Sequence, residues 1–376
     1  MQVINSGDTA WVLASAALVL FMTPGLAVFY GGMVRAKSAL NMMMMSFAAI
    51  GVTTIIWVLY GYSLAFGKSQ GGFIGNLDHL GLASTIDQVT GAEGHQIPVL
   101  AFAMFQLTFA IITVALLSGA IADRAKYGSW VLFVGVWITL VYLPVAHWAF
   151  AAQNGEGGWI IDKLKALDFA GGTVVEINSG AAALALALVL GKREGFKRDP
   201  MRPHNMPLVL LGAGMLWFGW FGFNAGSALS AGSLAATAMI NTQIATAAAA
   251  MTWIAYEKKR DGKATTLGVA SGAIAGAVAP PAGRGVGGAG QRPHGQLRSS
   301  QMYRCTQRSG SHRPAMCRGV ELFYRTDATV QKPRYVRQRR KQLLHLGGSV
   351  RFTGPRRQHS SQYRQPERRS VGAQRR

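Results

Sequence analysis

The first 304 residues contain no cysteine. That excludes disulfides, thiolate nucleophiles and Cys-ligated metals from most of the chain. The two cysteines that follow, Cys305 and Cys317, form no paired knuckle, and His294 and His312 give no zinc spacing beside them. Charge is also scarce: Asp, Glu, Lys and Arg make up 14% of the residues, against roughly 25% in a soluble domain. A phosphate-binding glycine loop and a nucleophile–base set are both missing, so an enzyme is not expected. Paired Asn-Pro-Ala motifs of a water channel and clustered His, Asp or Glu ligands of a metal transporter are missing too.

What is present is apolar. Half of the residues are hydrophobic and the mean hydropathy is positive, +0.21. A membrane-spanning helix needs about 20 mainly apolar residues, and runs of that kind cover 9–34, 42–66, 97–122, 129–150, 172–190, 207–228 and 234–256. An eighth begins near Thr265 and meets Pro280 and Pro281 before it can cross. The fold class this implies is an all-α polytopic membrane protein.

The formal net charge of +22 is unevenly distributed. Residues 1–278 hold 16 Lys/Arg and 13 Asp/Glu, whereas residues 279–376 hold 22 and 3. Within the first part, 13 of the 16 basic residues fall in alternate loops, after the first, third, fifth and seventh runs. Short cytoplasmic loops are enriched in Lys and Arg, which predicts a multi-pass protein of the cell membrane with its N-terminus outside. No Lys or Arg precedes the first run, which is about 25 residues long, so it reads as a retained span rather than a signal peptide.

Two regions are therefore expected: a transmembrane domain over 1–278 and an Arg-rich, low-order tail over 279–376. The tail has 20 Arg and 2 Lys, and its apolar patches are too short to span. A segment of that composition buries too little apolar surface to fold. The abrupt change in composition predicts a frameshift near residues 277–285. A basic tail would also bind nucleic acid or anionic lipid non-specifically, through charge alone; this gives an alternative function for the chain.

Ionisable residues inside apolar spans are costly and point to a cavity or pathway. Asp168 and Glu176 stand at the head of the fifth run with Asn178 behind them. If one helix carried both carboxylates, they would lie about 80° apart and about 12 Å apart along its axis. Asp168 has a second reading, in which its carboxylate satisfies backbone N–H groups around Gly171 and Gly172 at the membrane interface. Phe105 and Phe109 share a helix face at i and i+4, as do Phe223 and Ser227 with Trp220 one turn earlier. Aromatics so spaced are usually packing residues, and Gly219, Gly222 and Gly226 let helices approach closely. His147 reads as an interhelical packing and hydrogen-bonding residue.

Taken in order, Pro24-Gly-Leu-Ala-Val-Phe-Tyr-Gly-Gly32, Tyr60-Gly-Tyr-Ser-Leu-Ala-Phe66, Asp168-Phe-Ala-Gly-Gly-Thr173, Trp220-Phe-Gly-Phe-Asn-Ala-Gly-Ser227 and Ser271-Gly-Ala-Ile-Ala-Gly276 resemble ammonium transporters of the Amt/Mep/Rh family. The resemblance covers residues 8 to about 278. It implies an inverted-repeat bundle of eleven spans, here cut after seven and a partial eighth, a homotrimer, and a hydrophobic pore that passes ammonia and a proton by separable routes. No cofactor or metal is implied. By resemblance, Ser227 and Phe109 would form the outer ammonium site with Phe150 in the place of its usual Trp. Phe105 and Phe223 would be the stacked rings closing the pore, Trp220 and Glu176 would line it and relay the proton, and Asp168 would support the vestibule. Glu176 stands where the family usually has a histidine. A Phe-Gly-Val-His-Gly segment carrying the second pore histidine is absent, so the chain by itself is expected to be inactive. The family's cytoplasmic docking tail for a signal-transduction partner has no counterpart either, and no such partner is expected.

Overall fold

The computed structural model describes residues 4–153 and 155–278. Tail, frameshift and the Pro280–Pro281 break all lie outside the described residues. Eight apolar helices of more than ten residues follow in order: α1 Ser6–Met33, α2 Ala36–Phe66, α3 Val99–Ile121, α4 Tyr127–Phe150, α5 Gly172–Leu190, α6 Met206–Gly226, α7 Ser233–Asp261 and α8 Thr266–Val278. The first seven are long and apolar enough to cross a bilayer. Only helices and closed barrels satisfy every backbone N–H and C=O in hydrocarbon. The described residues form a multi-pass membrane bundle.

Two helices run beyond their apolar cores. α2 starts six residues before the expected 42, because Lys37, Ser38 and Asn41 are polar yet helical. α7 continues to Asp261, where Lys258, Lys259 and Arg260 occupy its last turn and Gly262, at φ 77°, turns the chain away. Cations there complement the helix dipole. Hydropathy registers burial in lipid, whereas a helix ends where its backbone is capped. Asn5 caps α1 by accepting from the Asp8 amide at 3.0 Å, and Asn205 caps α6 by accepting from that of Leu208 at 3.1 Å.

α1 and α6 form the centre of the bundle as a close antiparallel pair. A Cβ at Gly212 would stand 2.4 Å from the Phe29 nitrogen, and one at Gly219 would stand 2.2 Å from Met22 Cγ. Small residues thus bring the two backbones together, as their spacing predicts. Asn224 ties α6 to its neighbours, donating through Nδ2 to Thr242 Oγ1 at 2.9 Å and to the Ala277 carbonyl at 3.2 Å. In contrast, Leu188 and Val189 of α5 are 74% and 84% exposed, a surface suited to lipid or further protein.

The two ends of the bundle are separately tied. At one end, the buried carboxylate of Asp123, after α3, pairs with Arg35 Nε at 3.1 Å and Arg193 Nη1 at 3.9 Å, and Ser38 donates to it as well. Loops following α1, α3 and α5 therefore share one face, as the charge alternation predicts. At the other end lie two short antiparallel pairs, β1 Ser69–Gln70 with β2 Ile74–Gly75 and β3 Val89–Thr90 with β4 Ile97–Pro98.

Candidate functional site: a phenylalanine stack beside an acidic cavity

α5 opens with a wide helical turn over Gly172–Ile177, and Asp168 lies before it. Asp168 Oδ1 accepts from the Gly171 amide at 2.9 Å, and Oδ2 accepts from the amides of Thr173 at 2.9 Å and Val174 at 3.1 Å. Because Asp168 caps the helix from outside, the 80° and 12 Å relation to Glu176 does not apply. Burial pushes the Asp168 carboxyl up, while the amides of Thr173, Val174, Gly171 and Gly172 pull it back down. Gly171 takes φ 97°, and its missing Cβ leaves room for the Phe109 ring, 3.4 Å from where that atom would be.

Phe109 of α3 stacks on Phe223 of α6, with ring centroids 4.4 Å apart and planes 30° apart. Phe105 meets Phe109 edge-on at 4.9 Å and 65°. This corrects the expectation of a Phe105–Phe223 stack. α3 is antiparallel to α6, so pairing Phe109 with Phe223 puts Phe105, one turn back on α3, level with the turn after Phe223. The contact that fixes this register is Gly226, where a Cβ would be 3.0 Å from Phe105 Cε2.

Ser227 ends α6, and its hydroxyl donates to the Phe223 carbonyl at 2.8 Å. With its proton so engaged, the oxygen has lone pairs free to accept from a donor. Beneath Phe223 lies a small cavity of about 30 Å³, walled by α1, α3, α5, α6 and α8 and lined by Glu176 and Trp220 among others. Glu176 Oε2, Asn178 Nδ2 and Trp220 Nε1 are buried without a hydrogen-bond partner among the described residues. Two of these three, Glu176 Oε2 and Trp220 Nε1, belong to residues that line the same cavity. Five of the eight expected site residues, Phe105, Phe109, Glu176, Trp220 and Phe223, thus form one connected group.

Phe150 stands apart, half-buried at the end of α4. No ring pair joins it to Phe105, Phe109 or Phe223 among the described residues. The loop after it is organised by Asp162, whose Oδ2 accepts from the amides of Gln153 at 2.9 Å, Gly155 at 3.2 Å and Gly157 at 2.7 Å. Burial alone would raise this carboxyl, but the three amides and the Lys165 charge outweigh it and hold it below the ordinary carboxylate range. Trp148 is committed elsewhere, donating to the Phe73 carbonyl at 2.8 Å. His147 is fully buried, with Nδ1 bonded to the Ala65 carbonyl at 2.9 Å and Nε2 to Ser69 Oγ at 2.8 Å. Both ring nitrogens are therefore used between structural elements. Asp162 was not singled out by sequence reasoning, because its three partners are backbone amides in a loop that has no periodicity. Among the described residues there is no cluster of three or more His, Cys, Asp or Glu side chains placed to hold a metal.

A family model for the Ammonium Transporter Family matches residues 10–287. The chain belongs to the ammonium transporter family. The match ends a few residues past 278, inside the stretch assigned to the tail. An ammonium transporter of Mycobacterium tuberculosis is 57% identical over 296 residues, covering 74% of this chain and 62% of that protein. One from Aquifex aeolicus is 51% identical over 283 residues, covering 74% and 64%. The crystal structure of Candida albicans Mep2 superposes with a TM-score of 0.68 at 36% identity, over 74% of this chain and 62% of that one. This family member thus spans about 62% of the length of the Mycobacterium protein it matches. The family is one of membrane transporters, in keeping with the seven spanning helices.

Proposed function

We propose that the chain binds ammonium at the end of the bundle formed by Ser227, Phe105 and the loop after Phe150, and that Phe109 and Phe223 form the constriction beyond it. The observation that carries this reading is the Phe109–Phe223 stack, which closes one side of the cavity holding Glu176 and Trp220. A small cation with N–H donors can exchange water for the Ser227 oxygen and for ring faces, each worth roughly 0.5–2 kcal/mol. Passing it onward as a charge would cost at least about 2.5 kcal/mol near the bilayer centre. A carboxylate in the cavity lowers that barrier: ammonium transfers one proton to Glu176 Oε2, leaving a neutral carboxylic acid and ammonia. Trp220 Nε1–H then faces the ammonia lone pair as a donor. Asp168 acts through the backbone, holding the first turn of α5 and so the height of Glu176.

The site end faces outward, which the basic loops gathered around Asp123 at the opposite end support. Family resemblance supports a homotrimer. Tryptophan-fluorescence titration of the purified chain with methylammonium tests the reading. Saturable binding that weakens about tenfold in Ser227→Ala supports it, since one lost acceptor for a charged donor is worth about 1.5 kcal/mol or more. Absence of saturable binding overturns it. Methylammonium uptake by transporter-null cells separates binding from conduction: without a second mid-pore histidine segment in the sequence, the chain by itself is expected to bind without uptake.

A further inference from the structure

After Ser227 the chain reverses tightly into α7. The amides of Ala228 and Leu229 donate back to the Ala225 and Gly226 carbonyls at 3.3 and 2.9 Å. Leu229 takes φ 52°, a left-handed conformation that leucine disfavours. A strained turn persists only where its surroundings hold it. Here the hold comes from the first two turns of α1. The Ala231 amide donates to Asp8 Oδ1 at 2.7 Å, and Trp11 Nε1 donates to the Ala225 carbonyl at 3.2 Å. Those two contacts grip the chain on either side of Ser227.

Asp8 is not needed as the cap of α1, since Asn5 does that work. Its residue is only 4% exposed. Its second oxygen, Oδ2, bonds His95 Nδ1 at 2.7 Å. His95 sits in the loop between β3 and β4, which Asn5 fastens through Nδ2 to the Gly94 carbonyl at 3.0 Å and through its amide to the Gln96 carbonyl at 2.8 Å. The β3–β4 loop, the start of α1 and the turn after Ser227 are thereby tied together at one carboxylate.

We propose that Asp8 is a positioning residue for the ammonium site: by holding the Ala231 amide it fixes the 225–231 turn, and with it the Ser227 oxygen relative to the Phe105 ring. This rests on the ammonium-binding reading of Ser227. Asp8 never touches substrate and acts only through the turn.

The test uses the purified full chain in lipid nanodiscs, with hydrogen exchange over 225–232 and methylammonium binding measured on the same samples. Asp8→Ala removes the acceptor and is expected to speed exchange at Ala231 about tenfold and weaken methylammonium about fivefold. Asp8→Asn keeps one carbonyl oxygen for the Ala231 amide and is expected to restore both values to within about twofold of wild type. Trp11→Phe keeps the ring and removes one donor; it is expected to weaken binding about twofold and guards against loss of folding in Asp8→Ala. Unchanged binding in both Asp8→Ala and Trp11→Phe overturns the proposal, as does an Asp8→Asn chain as impaired as Asp8→Ala. A wild-type chain that fails to bind methylammonium overturns the reading of Ser227 itself, an outcome distinct from binding that ignores Asp8.

Discussion

Replacing Asp168 removes the acceptor for three backbone N–H groups at the start of α5. Bonds to a charged acceptor contribute about 1.5–3 kcal/mol each. The ionised carboxylate is itself costly to bury, by several kcal/mol before its bonds are counted. Asp168→Ala should therefore destabilise the chain by about 3–4 kcal/mol, less than three independent bonds would give. Asp168→Asn separates the contributions. Its one oxygen can serve Thr173 and Val174, but its NH2 group then faces the Gly171 amide, donor against donor, for a loss of about 1–2 kcal/mol.

The raised carboxyl also fixes the sign of a pH effect. Between the ordinary value of 3.8 and the higher native value, the folded state keeps a proton that the unfolded chain has lost. Stability contributed by this group is therefore greatest below that window, declines as pH rises through it and is level above it. Asp168→Asn should flatten that decline. Thermal midpoints of the three proteins across the acid range, with hydrogen exchange over 171–177, provide the assay. Equal midpoints for Asp168→Ala and wild type, or an Asn variant worse than the Ala variant, would refute the capping argument.

Asp162 gives the opposite pH behaviour. Its lowered carboxyl contributes stability that is present above about pH 3.8 and lost as pH falls through the native value, so Asp162→Asn should cost about 2–3 kcal/mol at neutral pH and abolish the acid-side loss in a thermal-midpoint series. Phe109→Ala removes a buried ring from the stack on Phe223 and should cost about 3–5 kcal/mol, and its methylammonium affinity in the fluorescence titration should fall with it. At α6, Gly212→Ala places a methyl 2.4 Å from the backbone nitrogen of Phe29 and should cost about 1–3 kcal/mol. Gly214→Ala meets nothing within 4 Å and should gain about 0.5–1 kcal/mol. Similar midpoints for the two glycine variants would contradict the close α1–α6 approach.

Periodicity and charge made most of the fold legible. Every spanning helix falls within a few residues of an apolar run, because burying about 20 residues of backbone in hydrocarbon leaves helix formation as the local solution. The glycines of α6 announced a close helix contact for the same kind of reason, since a missing Cβ acts locally, while its partner, α1, came from the structure. The Phe109–Phe223 pair was also within reach: on antiparallel helices, residues one turn apart pair in opposite order, so Phe105 belongs beside Ser227 once Phe109 faces Phe223.

What the sequence determined by itself was the set of helices, the alternation of their basic ends and the residue types offered to a pore. What only the tertiary structure decided was which of those residues meet. For Asp168 the structure chose between the two readings its sequence offered, the capping one, because the chain turns at Gly171 before α5 begins; Asp162 became a loop organiser because three amides converge on it. Asp8 reaches a turn 223 residues away because α1 packs along α6. Hydropathy and spacing are properties of neighbours in the chain, whereas the Asp8 contact and the Phe109–Phe223 stack depend on the depth and rotation at which separate helices pack.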